Sequence, residues 1–172
     1  YMFSGATIFN QDISWNTRKV TNMDSIFEGA SAFNGNISNW DTSNVVYMND
    51  MFNNAVVFNK DISGWNTSSV INMSGMFKNA QKFNQPLDSW NTYIVTNMSE
   101  MFSNCTVFNK NISDWDTGNV TNMACMFKNA ENFDQSLNSW NTSNVTKMTS
   151  LFENAISFDQ PLDSWNTSNV TN

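Results

Sequence analysis

Asp114 and Asp116 flank Trp115, and two carboxylates set close together are the basic equipment for acid–base cleavage of a glycosidic bond. Nothing beside them completes such a site. The chain has no His, so imidazole bases, imidazole metal ligands and the usual charge switch near neutral pH are absent. Ser and Thr are plentiful, but no base stands next to them to raise a nucleophile. Asp114 and Asp116 therefore read as solvated corner acids, and Asp88 and Asp163 read the same way. No catalytic, cofactor or metal site is expected. The two thiols, Cys105 and Cys125, fall at column positions five residues apart on an expected helix, about 7.5 Å along its axis. Adding the step between repeats exceeds the ~7 Å that a disulfide tolerates, so both are expected free.

Other chemistry is offered by rows of identical residues. Trp stands at 15, 40, 65, 90, 115, 140 and 165. Exposed, such a row would make a platform for sugars. Its presence in every copy is what a stacked core demands, so it reads as Trp packed on Trp. Asn10, Asn34, Asn59, Asn84, Asn109, Asp134 and Asp159 offer carbonyl oxygens to cations. They read instead as an internal ladder whose amides satisfy turn backbone groups in neighbouring coils. Asn16, Asp41, Asn66, Asn91, Asp116, Asn141 and Asn166 read as Asx corners after each Trp. The unbroken Thr row at 17, 42, 67, 92, 117, 142 and 167 could order water on ice. Corner hydroxyls bonded to backbone are the plainer reading, and Arg18 and Tyr93 would spoil a flat face.

These rows share one period. Val20 to Val170, Met23 to Met148, Phe27 to Phe152 and Phe33 to Phe158 also recur every 25 residues. Nearly seven copies fill the chain, and the first is one residue short, at Ile13-Ser14-Trp15 against Ile37-Ser38-Asn39-Trp40. Some differences alternate, giving a 50-residue pattern over the 25. One such unit cannot bury its apolar face alone, whereas stacked copies can. Met73, Met76, Phe77 and Ala80 have the spacing of one face of a short helix. Ile or Leu at 37, 62, 87, 112, 137 and 162 sits among polar residues, as in a short strand with one face inward. The expected fold is therefore an α/β repeat solenoid, leucine-rich-repeat-like. It has about seven 25-residue coils, each with a short strand and a short helix, and a parallel sheet. Residues 1–172 form a single array, expected to be a fragment of a longer repeat protein. It begins at Tyr1 and stops mid-coil, leaving Phe3, Ile8, Trp165 and Val170 to be covered by further chain or by partner molecules.

Trp140-Asn141-Thr142-Ser143-Asn144-Val145-Thr146-Lys147-Met148, followed by Leu151-Phe152-Glu153-Asn154-Ala155 and Phe158-Asp159-Gln160, resembles a known repeat. It is similar to the BspA-like leucine-rich-repeat surface proteins, in particular the 25-residue repeat of mycoplasma lipoproteins. The resemblance runs through all 172 residues. It implies a secreted or surface-displayed protein that adheres to or binds partners, and it carries no catalytic residues.

Net charge is −7 with only eight Lys and Arg, which speaks against a nucleic-acid surface. No apolar run approaches the ~18 residues of a membrane span. The expected function is non-catalytic binding or adhesion at the cell surface or outside the cell. The partner would be a protein or glycan surface. The alternative is a structural module that joins copies of itself end to end into a fibre or sheath. Because the inner rows hardly vary, recognition is expected at the varied positions beside the strand, Lys60, Asp61, Gln85, Asp88, Lys110, Asp114, Gln135 and Asp163. Glu28, Lys78, Lys128 and Glu153 on the helix exterior are further candidates.

Overall fold

A 25-residue period brings equivalent backbone atoms of successive copies to the same height, and hydrogen bonding follows that register. In the computed structural model, which describes residues 1–172, the chain winds into stacked coils built from turns. One coil illustrates all. Trp90 N donates to Leu87 O at 3.1 Å, Val95 N to Thr92 O at 2.9 Å, and Met101 N to Met98 O at 3.3 Å. Ser103 N closes on Glu100 O at 3.0 Å, Cys105 N on Phe102 O at 3.0 Å, and Phe108 N on Cys105 O at 3.1 Å. The intervening N–H groups leave the coil. Met98, Glu100, Phe102 and Asn104 donate to Asn122, Ala124, Met126 and Lys128 of the next coil at 2.8–3.0 Å.

This corrects the expected α/β solenoid. There is no helix, no multi-residue strand and no sheet. The segment 73–80 has helical spacing but not helical bonding. Met73, Gly75, Phe77 and Asn79 send their N–H groups to Asn97, Ser99, Met101 and Ser103. Only Met76, Lys78 and Ala80 bond locally, each to the third residue back. Gly75 and Asn79 have φ of 61° and 60°, and one left-handed residue is enough to stop a helix. Successive turns bring Met73, Met76, Phe77 and Ala80 inward at the same intervals as a helix would, so periodicity could not separate the two.

The expected strand at Phe83–Trp90 fails for another reason. None of its N–H groups pairs with the backbone of a neighbouring coil: Asn84 N donates to Asn59 Oδ1 at 2.9 Å, and Phe83 N and Trp90 N close turns on Ala80 O and Leu87 O. Parallel β-type pairing occurs elsewhere, as single-residue bridges linking Asn22, Tyr47, Asn72, Asn97, Asn122 and Lys147 in order. With neither the strand nor the helix present, the leucine-rich-repeat plan does not apply.

The core is one cluster of 41 buried residues, and its largest members are three columns of parallel rings. Phe27 to Phe152 and Phe33 to Phe158 stack between coils at 5.6–6.1 Å, and the two Phe of a coil meet at 3.8–4.2 Å. Phe3 and Phe9 extend both columns into the first coil. Indoles form the third column, with Trp40–Trp65 at 6.3 Å and 2° between planes. Such pairs add roughly 0.5–1.5 kcal/mol each beyond the area they bury. Ala30, Ala55, Ala80, Cys105 and Ala130 are fully buried where coils approach closely.

Candidate recognition surface

A repeat protein must satisfy the same polar groups in every coil before any side chain is free for a partner. Most of its polar rows are occupied in this way. Trp40 to Trp140 are only 2–4% exposed, and each indole N–H donates to the Ile or Leu carbonyl of the preceding coil at 2.9–3.3 Å. The Trp row is thus a core corner and not a sugar platform. Thr17, Thr42, Thr67, Thr92, Thr117 and Thr142 are buried, and each hydroxyl donates to a carbonyl of the following coil at 2.8–3.0 Å. That row presents no face to ice. The Asx corners form as expected: each Oδ1 from Asn16 to Asn166 accepts the N–H two residues on. Asp116 is one of them, holding Gly118 N at 2.9 Å, so it serves the corner and not a carboxylate pair with Asp114.

The Asn/Asp ladder also forms, with a correction. It lies at the surface, and only the oxygen is used. Asn10, Asn34, Asn59, Asn84, Asn109 and Asp134 each accept, at Oδ1, the N–H of the equivalent residue one coil on, at 2.7–3.0 Å. An acceptor-only duty explains why Asp can replace Asn at 134. The Asp159 N–H and the Gln160 amide hold the Asp134 carboxyl below its ordinary range.

A second ladder was not anticipated. Asn79, Asn104, Asn129 and Asn154 each donate an amide N–H to the Oδ1 of the Asn one coil earlier, from Asn54 onward, at 2.6–3.0 Å. All five have φ near 60°. The signal was present: Gly29 occupies the same column, and a column filled by Gly or Asn alone marks left-handed backbone.

The eight expected partner-binding residues all fall between the second Phe and the Trp of their coils. Lys60, Gln85, Lys110 and Gln135 share one column, and Asp88 and Asp163 share another. Three of the eight are structurally engaged. Gln85 and Gln135 donate to Asn59 and Asn109 at 3.0 and 2.8 Å, and Asp61 accepts Ser63 N at 2.9 Å. The Ser63 bonds keep the Asp61 carboxyl below its ordinary value. These contacts also account for the 50-residue alternation, since coils with Gln reach back to the ladder while coils with Asp61 or Asn111 make an Asx turn. Asp114 is exposed and takes only a long 3.4 Å bond from the Ser113 hydroxyl. Asp88 and Asp163 are exposed, Lys60 and Lys110 half-exposed, and none of the four forms an ion pair.

The residues expected on a helix exterior lie on turn corners instead. Lys78 pairs with Glu100 and Lys128 with Glu153, the latter at 2.9 Å. Ser150 and Lys128 lower the Glu153 carboxyl, and Glu153 raises the Lys128 ammonium. Glu28 faces Asp50, whose carboxyl is raised mainly by burial and then by Glu28. Cys105 is buried, with Sγ 2.7 Å from Phe77 O and its thiol pushed far up by burial. Cys125 is half-exposed, and both thiols are free. No group of acidic or thiol side chains has the arrangement of a metal site. No helix is long and apolar enough to cross a membrane.

No curated protein matches the chain. A family described as "Mycoplasma protein of unknown function, DUF285" matches residues 1–103 and again residues 85–172, two tandem matches that fit a repeat protein. With both matches together spanning every coil, the chain belongs to the mycoplasma DUF285 family.

Proposed function

We propose that the chain is a non-catalytic binding module, displayed outside the cell or at its surface, that engages a partner through side chains repeated along the stack. The observation that carries this reading is the division of polar groups. Trp, Thr, Asx and ladder side chains are committed to bonds between coils. Lys60 and Lys110 in one column, and Asp88 and Asp163 in another, form no ion pair. Repetition supplies similar weak contacts along a line, which gain strength when several copies act together. Surface location follows from the resemblance of the repeat to surface proteins.

The test compares monomeric and artificially clustered protein for retention on cell-surface extracts, beside a broad hydrolase screen. Retention by the clustered form that drops when Lys60 and Lys110 become Gln, with no turnover, supports the reading. Turnover abolished by Asp114→Asn overturns it, and so does filament formation with no foreign partner retained.

A further inference from the structure

Position by position, the commonest residues after each Thr corner are Ser-Asn-Val-Thr-Asn, complete at 168–172 and changed at one position each by Gly118 and Lys147. Departures cluster in the first four coils. Arg18 and Lys19 stand in the first, Val46 and Tyr47 in the second, Ile71 in the third, and Tyr93 and Ile94 in the fourth. The scaffold does not require them. Asn72, Asn97 and Asn122 make the same bridge as Tyr47, and Thr121 and Thr146 occupy the same backbone ladder as Val46 and Ile71.

The ladder brings these departures together on one flank. Tyr47 bridges to Asn22 on one side and Asn72 on the other. Val46 N donates to Thr21 O at 2.8 Å, and Ile71 N donates to Val46 O at 3.0 Å. Tyr93 is 61% and Tyr47 40% exposed. The Tyr93 ring stands on fixed backbone: its N–H donates to Asn91 Oδ1 at 3.0 Å and its carbonyl accepts from Asn119 at 2.6 Å. Beside the first two coils lies a depression of about 910 Å³ lined by Asn16, Arg18, Lys19, Thr21 and Asn44, none of them apolar. Neither Arg18 nor Lys19 forms an ion pair, although the chain carries a net −7. Asp41, whose carboxyl feels the charge of Arg18, is bonded to the Ser43 N–H and hydroxyl at 3.0 and 2.6 Å.

We propose that this flank, with Arg18, Lys19, Tyr47 and Tyr93 as its anchors, binds an acidic polysaccharide, a sugar chain bearing carboxylate or sulfate groups. Unpaired cations meet the acidic groups. The polar depression suits hydroxyls, and exposed tyrosine rings offer flat faces to sugar rings. Ser68, Ser69 and Asn72 of the third coil lie between the two rings, and Val46, Ile71 and Ile94 beside them are only half-exposed, so the flank lacks the broad apolar centre of a protein interface. Coils in register present these features along a line, matched to a linear polymer. The proposal rests on the reading of the chain as a binding module but uses a different flank from that of Lys60 and Lys110.

Affinity electrophoresis and calorimetry with heparin, polygalacturonate, neutral dextran and polyglutamate test it. Heparin and polygalacturonate separate sulfate from carboxylate recognition. Binding to at least one of them, weakened by salt and absent with dextran, is expected. Tyr93→Ala and the double change Arg18→Gln with Lys19→Gln should each lower affinity about tenfold or more. Tyr93→Phe, which keeps the ring face, should retain affinity, as should Lys147→Gln in a later coil. Retention of neither acidic polysaccharide, equal retention of dextran, or equally tight polyglutamate binding with the same dependence on Tyr93 would overturn the proposal. Polysaccharide binding lost through Lys60→Gln and Lys110→Gln but indifferent to Arg18, Lys19 and Tyr93 would overturn it while leaving the binding module in place.

Discussion

Trp90 shows how much one residue does here. Its ring fills the corner of a coil, and its N–H holds Ile62 O at 3.2 Å. Trp90→Ala should cost roughly 3–5 kcal/mol as a cavity mutation. Trp90→Phe keeps a ring but removes one of two bonds to Ile62 O, which Trp65 N still holds at 3.1 Å, so it should cost about 0.5–1.5 kcal/mol. Denaturant melts of the two variants check both, and wild-type stability in either contradicts the corner role. Two aspartates should titrate with opposite signs. Asp50 is raised above its ordinary value, so its favourable contribution exists at low pH and is lost as pH rises through its folded value. Asp50→Asn should therefore be more stable than wild type at neutral pH, with the difference closing below about pH 4. Asp134 is lowered, so its contribution is present above its ordinary value and is lost as pH falls through the folded one. Asp134→Asn should remove that acid loss. Thermal melts across pH 2–7 read both, and parallel profiles for the two variants would refute the assignment.

At the scale of the element, the turn is the unit, and its bonding explains what the sequence could and could not tell. The Trp and Phe columns, the Asx corners and the ladder from Asn10 were legible because each is a residue type demanded once per coil. Secondary structure was not legible. Met73, Met76, Phe77 and Ala80 point inward whether the backbone is a helix or a run of turns, and the discriminating clue was the Gly-or-Asn column at 29, 54 and 79. The short first coil leaves a second mark. Trp40 N closes a turn on Ile37 O at 3.1 Å, and the missing residue removes that turn before Trp15. Gln11 O then presses on Gly35, where an added Cβ would lie 2.1 Å from it. Equivalent positions 60, 85, 110 and 135 carry long side chains, so the constraint belongs to this junction alone. Gly35→Ala should destabilise by ~1–3 kcal/mol, seen as a lower midpoint in urea. A neutral result would show that the first coil can move aside.

For the whole molecule, stability should be a sum over coils and their interfaces. Removing residues 66–90, one full period, joins Trp65 to Asn91 and keeps every column in register. The shortened chain should melt cooperatively at a somewhat lower temperature, whereas removing residues 66–77 should abolish folding, because Phe would then face Trp and the ladders would break. Equal stability of the two deletions, measured by calorimetry, would contradict a register fixed at 25 residues. The likeness of every coil also separates scaffold from recognition, since a side chain that no other coil needs, such as Tyr93 or Arg18, is free to serve a partner.

Alternate N–H groups of the 73–80 segment leave their coil for the next, and through-hydrogen-bond NMR couplings read this directly in labelled protein. Correlations are expected from Gly75 N–H to the Ser99 carbonyl and from Asn79 N–H to the Ser103 carbonyl, whose N···O distances are both 2.8 Å. A correlation from Asn79 N–H to the Gly75 carbonyl, four residues back in the same segment, would mean a helix and would contradict it.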